Sequence, residues 1–218
     1  LKKYRFSLAQ RNCVLKDVKY HSELYDTLEI WEQQLSLYGA KIIAKRLSYI
    51  KMLAEAAQNV YSGICDGSES FFLKYITAGI NTDKDADENE IRSLLADKFR
   101  KTRGDDILLG ITYTGPHRDD LSVEVNGKKV RSFGSQGQQR SAALAMKLGE
   151  AEIINSFTGE KPVVLLDDVM SELDLKRQDY VLNKISEYQV FITCCEPSQP
   201  LRLCSGNTYK IKNGGIAD

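Results

Sequence analysis

The stretch Val163-Val164-Leu165-Leu166-Asp167-Asp168 consists of four apolar residues followed by two aspartates. A continuous apolar run, rather than an alternating one, is typical of a strand buried on both faces of a parallel sheet. A predicted helix from about Asp174 to Glu187 and a second apolar run, Val190–Thr193, follow it. Strand, helix and strand in this order predict a βαβ unit with parallel neighbouring strands and a right-handed crossover.

The acidic pair stands where open α/β sheets bind ligands, at the carboxyl end of a buried parallel strand. One of the two carboxylates would hold Mg²⁺, directly or through water, because Mg²⁺ prefers a few carboxylates together with phosphate oxygens. The other, on the opposite side of the strand end, would orient a water molecule. This is the Walker B pattern of the P-loop nucleoside triphosphatases. Aspartates at a strand end also serve as helix caps, which is the alternative.

A polar segment, Ser135–Arg140, precedes a helix predicted from Ser141 to about Ile154. Its hydroxyl, side-chain amides and backbone N–H groups at the positive end of a helix predict a phosphate site. Gly137 would let the backbone approach the anion closely. The alternative is a simple N-cap formed by Ser135 or Ser141, with the glutamines facing solvent.

The first 60 or so residues follow a helical pattern with two apolar stripes. Alternating spacings of four and three predict a helix packed lengthwise on another helix. An earlier helix is the natural partner, with a break near residues 17–22, so we expect a helical arm; an amphipathic helix in a compact bundle is the alternative. The stripes are Leu24, Leu28, Trp31, Leu35, Tyr38 and Ile42, then Ile43, Leu47, Ile50, Ala54, Ala57, Tyr61 and Ile64; the earlier helix carries Tyr4, Leu8 and Leu15.

The middle of the chain changes pattern after Arg103-Gly104. Before it, Phe71–Ile76 predicts a strand, and a helix capped by Asp87 or Asn89 runs to about Arg103. After it, Asn126-Gly127 between residues 121–125 and 128–133 predicts a β-hairpin. We therefore expect a mainly helical arm domain over residues 1–104 and an α/β lobe over residues 105–218.

Composition narrows the function classes. The 218 residues include 30 Lys and Arg against 30 Asp and Glu, a balance that argues against a strongly basic nucleic-acid binder but leaves a local basic patch open. No apolar run approaches the roughly 20 residues that a membrane-spanning helix needs. The cysteines, Cys13, Cys65, Cys194, Cys195 and Cys204, include no C-x-x-C pair. Neither a disulfide framework nor a zinc site fits these cysteines, which predicts a reduced, cytoplasmic protein. The lack of a long apolar run predicts that it has no membrane partner.

These segments in this order resemble the carboxyl-terminal half of an ABC-type ATPase head, as in SMC-like DNA-repair proteins, and more narrowly the RecF family. Three stretches carry the resemblance: residues 115–121, 134–140 and 165–174. The helical part is also similar, including Gln10-Arg11-Asn12 and Gly39-Ala40. The resemblance therefore covers essentially the whole chain.

The resemblance implies roles for individual residues. Asp167 matches the Walker B aspartate associated with Mg²⁺, and Asp168 stands where most such heads carry a catalytic glutamate. A D-loop at the dimer interface corresponds to Ser171 and Asp174. Independently of the resemblance, Arg118 beside His117 predicts a contact with a phosphate or a carboxylate, and a structural role for this histidine is the alternative. Cys194 stands where many ABC proteins have a switch histidine. The signature loop, which contacts ATP bound to the other subunit, corresponds to Ser135, Gln136, Gly137, Gln138, Gln139 and Arg140.

At the level of function, the resemblance implies an intact protein that binds ATP and Mg²⁺, dimerises head to head in an ATP-dependent way and hydrolyses ATP slowly. It also implies binding to double-stranded or gapped DNA, with RecR as a partner, in DNA repair, recombination, replication and the SOS response. A P-loop is missing, because the one Gly-Lys pair, Gly127-Lys128, has Ser122 instead of a glycine five residues before it. We therefore expect a carboxyl-terminal fragment that is inactive by itself. The alternatives are a non-enzymatic interaction module or the head of another SMC-like ATPase.

Overall fold

The structure, a computed structural model, describes residues 1–82, 86–195 and 206–217 and forms two compact units. The first unit comprises Leu1–Ala54 and Phe72–Val123, and the second comprises Glu55–Phe71 and Glu124–Asp218. The chain therefore passes between units within elements of secondary structure. The boundary predicted after residue 104 does not coincide with this division, since residues 105–123 lie in the first unit and residues 55–71 in the second.

The first unit is built mainly from three helices. The break between the first two falls where the sequence predicted it. The third helix is capped by Asp87, whose carboxylate accepts a hydrogen bond from the Glu90 amide at 2.8 Å, and it ends at Gly110 with φ of 69°. The elements are α1 (Lys2–Asp17), a 3₁₀ turn (Ser22–Leu24), α2 (Thr27–Ile64), β1 (Phe71–Ile76), α3 (Glu88–Leu109) and β2 (Asp120–Val125).

The core of the first unit forms where the three helices bury their apolar stripes. Leu28, Leu35 and Ile43 of the predicted stripes are fully buried. Gly39 permits the close packing, since a Cβ there would lie 3.0 Å from Leu95 Cδ1. One apolar cluster contains Tyr4, Leu35, Ala40, Ile43, Ile80, Ile91, Leu95 and Phe99.

A buried arginine ties the three helices together. Arg11 is 0% exposed, and its Nη1 donates to Asp106 Oδ2 and to Thr112 Oγ1, each at 2.8 Å. Its Nη2 donates to Glu32 Oε1 at 2.9 Å, while Arg103 Nη2 donates to the other oxygen of Glu32 at 2.6 Å. Because Asp106 is held in this way, α3 continues past the predicted end near Arg103 to Leu109.

The second unit contains the α/β part of the chain. Its predicted hairpin turn is confirmed: Asn126 and Gly127 both have positive φ, and Glu124 pairs with Lys129 in antiparallel register. The predicted return strand over residues 128–133 was too long, because the chain becomes helical at Val130 and buries that side chain. The elements are β3 (Lys128–Lys129), α4 (Val130–Phe133), α5 (Gln136–Thr158), β4 (Val164–Asp167), a 3₁₀ turn (Met170–Glu172), α6 (Leu175–Lys184), β5 (Val190–Thr193), β6 (Lys210–Lys212) and β7 (Gly215–Ala217).

The predicted βαβ unit is confirmed, with β4 and β5 parallel and in register from Val164↔Val190 to Asp167↔Thr193. The prediction that the first strand is buried on both faces was wrong for the described residues. Val164 and Leu166 are buried, whereas Leu165 and Phe191 are 72% and 58% exposed. Only one face of the strand pair packs on the described part of the chain.

A second polar cluster joins the end of α2 to the start of α5. Glu69 accepts hydrogen bonds from Tyr61 Oη at 2.7 Å and from Gln138 Nε2 at 2.6 Å. Burial by itself would raise the pKa of Glu69, but these hydrogen bonds, with a contact from Cys65, lower it. Glu69 therefore stabilises this junction as a carboxylate.

Two further features of the described residues concern membrane-spanning helices and cysteines. No helix among them is long and apolar enough to cross a membrane. Cys13, Cys65, Cys194 and Cys195 form no disulfide, and Cys204 lies outside the described residues.

We expect Arg11→Ala to lower the free energy of unfolding by about 3 to 5 kcal/mol, because it leaves Asp106 buried without its cation. The matched control is Arg100→Ala, which removes an exposed ion pair with Asp97 and should cost less than about 1 kcal/mol. Urea unfolding of both variants measures the difference. Equal losses would contradict the role assigned to Arg11.

We expect Glu69→Gln to lower the free energy of unfolding by about 1 kcal/mol at neutral pH, since hydrogen bonds to a charged acceptor exceed those to a neutral one by about that amount. A carboxylate with a lowered pKa stabilises the fold fully above its unfolded-state pKa and loses this effect as pH falls through the folded-state pKa. The difference from wild type should therefore shrink on acidification. Denaturant unfolding over a pH series, with the exposed Glu160→Gln as control, tests this; a constant difference would contradict it.

Candidate functional site

The two predicted site aspartates lie at the carboxyl end of β4, beside the end of β5. Asp167, the last residue of β4, is opposite Thr193 in the parallel register. The Thr193 hydroxyl donates to Asp167 Oδ1 at 2.5 Å and accepts from the Asp168 amide at 3.0 Å. Both aspartates are exposed. Thr193 thus orients the carboxylate of Asp167 at an accessible strand end.

Asp168 turns the chain out of the strand. Its φ of 52° lies in the left-handed region, which aspartate and asparagine tolerate better than other non-glycine residues. Its carbonyl oxygen accepts a hydrogen bond from Ser171 Oγ at 2.9 Å, which closes the following turn. Backbone in this unusual conformation is frequent at functional sites.

The donor set at this strand end fits Mg²⁺ in part. Mg²⁺ is typically bound through one or two carboxylates, with phosphate oxygens and water as its other ligands. In the parts of the chain that the structure describes, no three His, Cys, Asp or Glu side chains are grouped to hold a metal ion. Asp167 with its neighbour is thus suited to an ion whose other ligands come from a nucleotide.

The predicted signature segment forms the beginning of α5, which starts at Gln136 rather than at Ser141. Ser135 is the N-cap, and its Oγ accepts a hydrogen bond from the Gln138 amide at 3.2 Å. Since this oxygen acts as an acceptor, its own O–H can donate elsewhere. The amides of Gln136 and Gly137 precede the first intrahelical hydrogen bond, from the Gln139 amide to the Ser135 carbonyl. These groups form a donor surface at the positive end of a 23-residue helix.

Two of the glutamines have a structural role that the prediction of direct nucleotide contact did not include. Gln138 uses Oε1 to accept from the Ser135 amide at 3.0 Å and Nε2 to donate to Glu69. Gln139 donates to the Gly134 carbonyl at 3.1 Å. Ser135, Gln136, Gln139 and Arg140 are exposed at the start of the helix, whereas Gly137 is half-buried.

The predicted D-loop residues are both engaged in local structure. Ser171 closes the turn after Asp168, and Asp174 caps α6 by accepting from the Arg177 amide at 3.1 Å. Buried Gln178 fixes the loop by donating to the carbonyls of Met170 and Leu173 at 2.7 and 2.9 Å.

Arg177 links the D-loop to the start of α5. Its Nε lies 3.3 Å from Asp174 Oδ2, and its Nη1 lies 3.5 Å from Ser141 Oγ. A Cβ placed on Gly137 would be 3.4 Å from the same Nη1. The guanidinium therefore adds a positive charge beside the donor surface.

His117 and Arg118 lie in the first unit. His117 Nε2 is 3.0 Å from the Thr112 carbonyl, and Nδ1 is 2.8 Å from Tyr4 Oη. Because a carbonyl only accepts, Nε2 carries the proton and Nδ1 accepts from Tyr4. Burial lowers the pKa of His117. Both ring nitrogens thus have partners within the first unit, and Arg118 stacks over the Tyr113 ring at 5.0 Å. The phosphate contact of these two residues stays a prediction.

Glu69 and Arg177 are site residues that the sequence did not single out. Glu69 stands in a polar loop without a recognisable motif, and Arg177 follows the D-loop on a helix where exposed arginines are common. Only their contacts with α5 distinguish them.

Comparison with known proteins shows what the chain is similar to. No protein-family model matches it, but individual relatives do. The "DNA replication and repair protein RecF" of Acetivibrio thermocellus is 40% identical over 196 residues, which are 90% of this chain and 53% of that protein. The proteins of that name from Agathobacter rectalis and Clostridium acetobutylicum are 43% and 37% identical, over 89% and 100% of this chain and 51% and 58% of their own lengths. The chain thus spans about half the length of these relatives.

Two solved structures are similar to the chain over nearly its whole length. Both are of the recombination mediator protein RecF in the RecFOR pathway, one with ATPγS and one with ATP. Each has a TM-score of 0.85, and this chain covers 57% of each of them. The ATPγS structure is 38% identical over 99% of this chain, and the ATP structure is 36% identical over 100% of it. Similarity in sequence and in structure to proteins named RecF therefore extends along nearly the whole of this chain.

Proposed function

We propose that the intact protein is an ATP-dependent recombination mediator, which pairs head to head around ATP and Mg²⁺ and binds double-stranded or gapped DNA together with RecR. The names of the relatives and the nucleotides in the two similar structures support this proposal. The observation that carries it is the donor surface at the start of α5. A hydroxyl, two backbone amides and a nearby guanidinium are the groups that bind a terminal phosphate.

The end of β4 supplies the complementary half of the proposed chemistry. Asp167, oriented by Thr193, would hold Mg²⁺, which neutralises phosphate charge when bound. Asp168 would accept a proton from the attacking water and orient it. Because an aspartate is shorter than the usual glutamate, it would hold that water less closely, which favours slow turnover. Slow turnover suits a switch controlled by nucleotide.

If two nucleotides were bound between two heads, each lobe would need both the phosphate-binding start of α5 and the Mg²⁺-binding end of β4. The α5 start is supported by Glu69 and Arg177, and the β4 end is supported by Thr193. We infer that each half serves a different nucleotide, so that every ATP meets the signature residues of the partner. Nucleotide that binds only the pair stabilises it by mass action.

Hydrolysis belongs to the intact protein rather than to this chain alone. Gly127, at φ of 72°, lies in the turn between β2 and β3, and Lys128 begins β3, so the pair offers no phosphate-binding loop. This chain contributes the signature and the carboxylates.

In the intact protein, Ser135→Arg should abolish ATP-induced dimerisation and spare ATP binding by the monomer, because a bulky cation replaces the hydroxyl at the donor surface. The matched control is Ser156→Arg, which adds the same side chain at an exposed position near the other end of α5. Sedimentation velocity with and without ATP measures pairing. Unchanged dimerisation of the Ser135 variant would refute the signature role.

In the intact protein, Asp168→Asn should reduce ATP hydrolysis by about 10² to 10⁴-fold, the usual contribution of a general base. Asparagine also tolerates the left-handed conformation, so the backbone should be kept and dimerisation retained. Phosphate release and sedimentation are measured on the same preparation. Loss of both activities would assign Asp168 a structural role instead.

A further inference from the structure

A groove in the first unit collects basic side chains from two distant parts of the sequence. It encloses about 710 Å³ between the start of α1 and the middle of α2. Lys2 and Lys3 come from α1, whereas Lys41, Lys45 and Arg46 come from α2. Among the described residues, none of those that line it is acidic. In a chain with no net charge, five cations on one surface form a local concentration of positive charge.

Three of these cations are available to a ligand. Lys41 lies 3.9 Å from Glu88 and Arg46 lies 3.8 Å from Asp119, so each of these has an acidic neighbour. Lys2, Lys3 and Lys45 are exposed and have no ion pair within the described residues. The ammonium group of Lys3 lies 5.9 Å from the centre of the Tyr38 ring, which keeps it beside the groove.

The base of the groove is held by internal contacts. Arg46 Nη1 donates to the Pro116 carbonyl at 2.6 Å and lies 3.3 Å from Tyr75 Oη. The Asp119 carboxylate, 1% exposed, accepts from the Ala78 amide at 2.6 Å and from Tyr75 Oη. Tyr4, which also lines the groove, is fixed through His117. The lysines thus project from a surface that is already ordered.

We propose that this groove binds the phosphate backbone of nucleic acid, with Lys2, Lys3 and Lys45 contacting phosphates. The proposal deepens the proposed function, on which its choice of DNA rests. Lysine is a point charge without the planar fork that matches a carboxylate, so it suits repeated phosphates without a strict geometry. Tyr38 and Tyr49 beside the cations offer rings to sugars or bases, a combination typical of nucleic-acid grooves. Contacts of this kind position DNA without reading its sequence.

The test measures binding of this 218-residue chain to a short fluorescein-labelled DNA duplex by anisotropy, between about 50 and 200 mM salt. We expect the double variant Lys2→Glu with Lys45→Glu to bind about tenfold more weakly, and the slope of log affinity against log salt to fall in magnitude by about 2, since each phosphate contact contributes about 0.9. The matched control is Lys74→Glu with Lys101→Glu, two exposed lysines of the first unit outside the groove.

Two results would support DNA binding by the groove. The control variant should keep the wild-type affinity, and the neutral variant Lys2→Gln with Lys45→Gln should lose an intermediate amount. Equal losses in groove and control variants would overturn the proposal, because total charge would then explain binding. Failure of the wild-type chain to bind the duplex would overturn it as well. So would equally effective displacement of the duplex by a polyaspartate peptide, which would indicate an acidic polypeptide as the partner. ATP-induced pairing of the intact protein is a separate measurement, so its failure would leave the result for the groove unaffected.

Discussion

Reciprocal hydrogen bonds between Ser135 and Gln138 decide the residue at which α5 begins, and the donor surface of the candidate site depends on that residue. If the helix began at Ser141, residues 136–140 would form a loop and their amides would not converge. The capping box places Gln136 and Gly137 at the first positions of the helix, where their amides have no intrahelical acceptor. Glu69 then holds Gln138 from outside the helix, so the site is supported by a residue with no role in nucleotide chemistry.

A buried guanidinium has a comparable organising effect in the first unit. Arg11 is costly to desolvate, and Asp106, Thr112 and Glu32 offset this cost by accepting hydrogen bonds from its two terminal nitrogens. Its Nε has no hydrogen-bond partner among the described residues. We infer that the buried charges select the packing of the helices, and that the packing in turn brings the lysines of α1 and α2 into one groove.

Much of the secondary structure could be predicted, because local chemistry decides it. The Asn126-Gly127 turn needs two residues that tolerate positive φ, and Asp87 caps α3 with its own side chain. Two errors occur where packing overrides local preference: Val130 leaves the predicted strand to bury its side chain, and α3 outlasts its pattern because Arg11 holds Asp106. The error at β4 is of another kind, because no described residue packs on its second apolar face.

For the candidate site, the carboxylates at the strand end and the hydroxyl and glycine at the helix start could be predicted from the sequence alone. This was possible because few kinds of group bind Mg²⁺ and phosphate. Tertiary structure alone decided how each of these residues is used. Gln138 and His117 each have a hydrogen-bond partner far along the chain, Glu69 and Tyr4, which no local pattern predicts. It also decided that Lys2 and Lys45 share a groove, because ionic and hydrogen-bonding partners are chosen by distance in space, which a linear pattern does not contain.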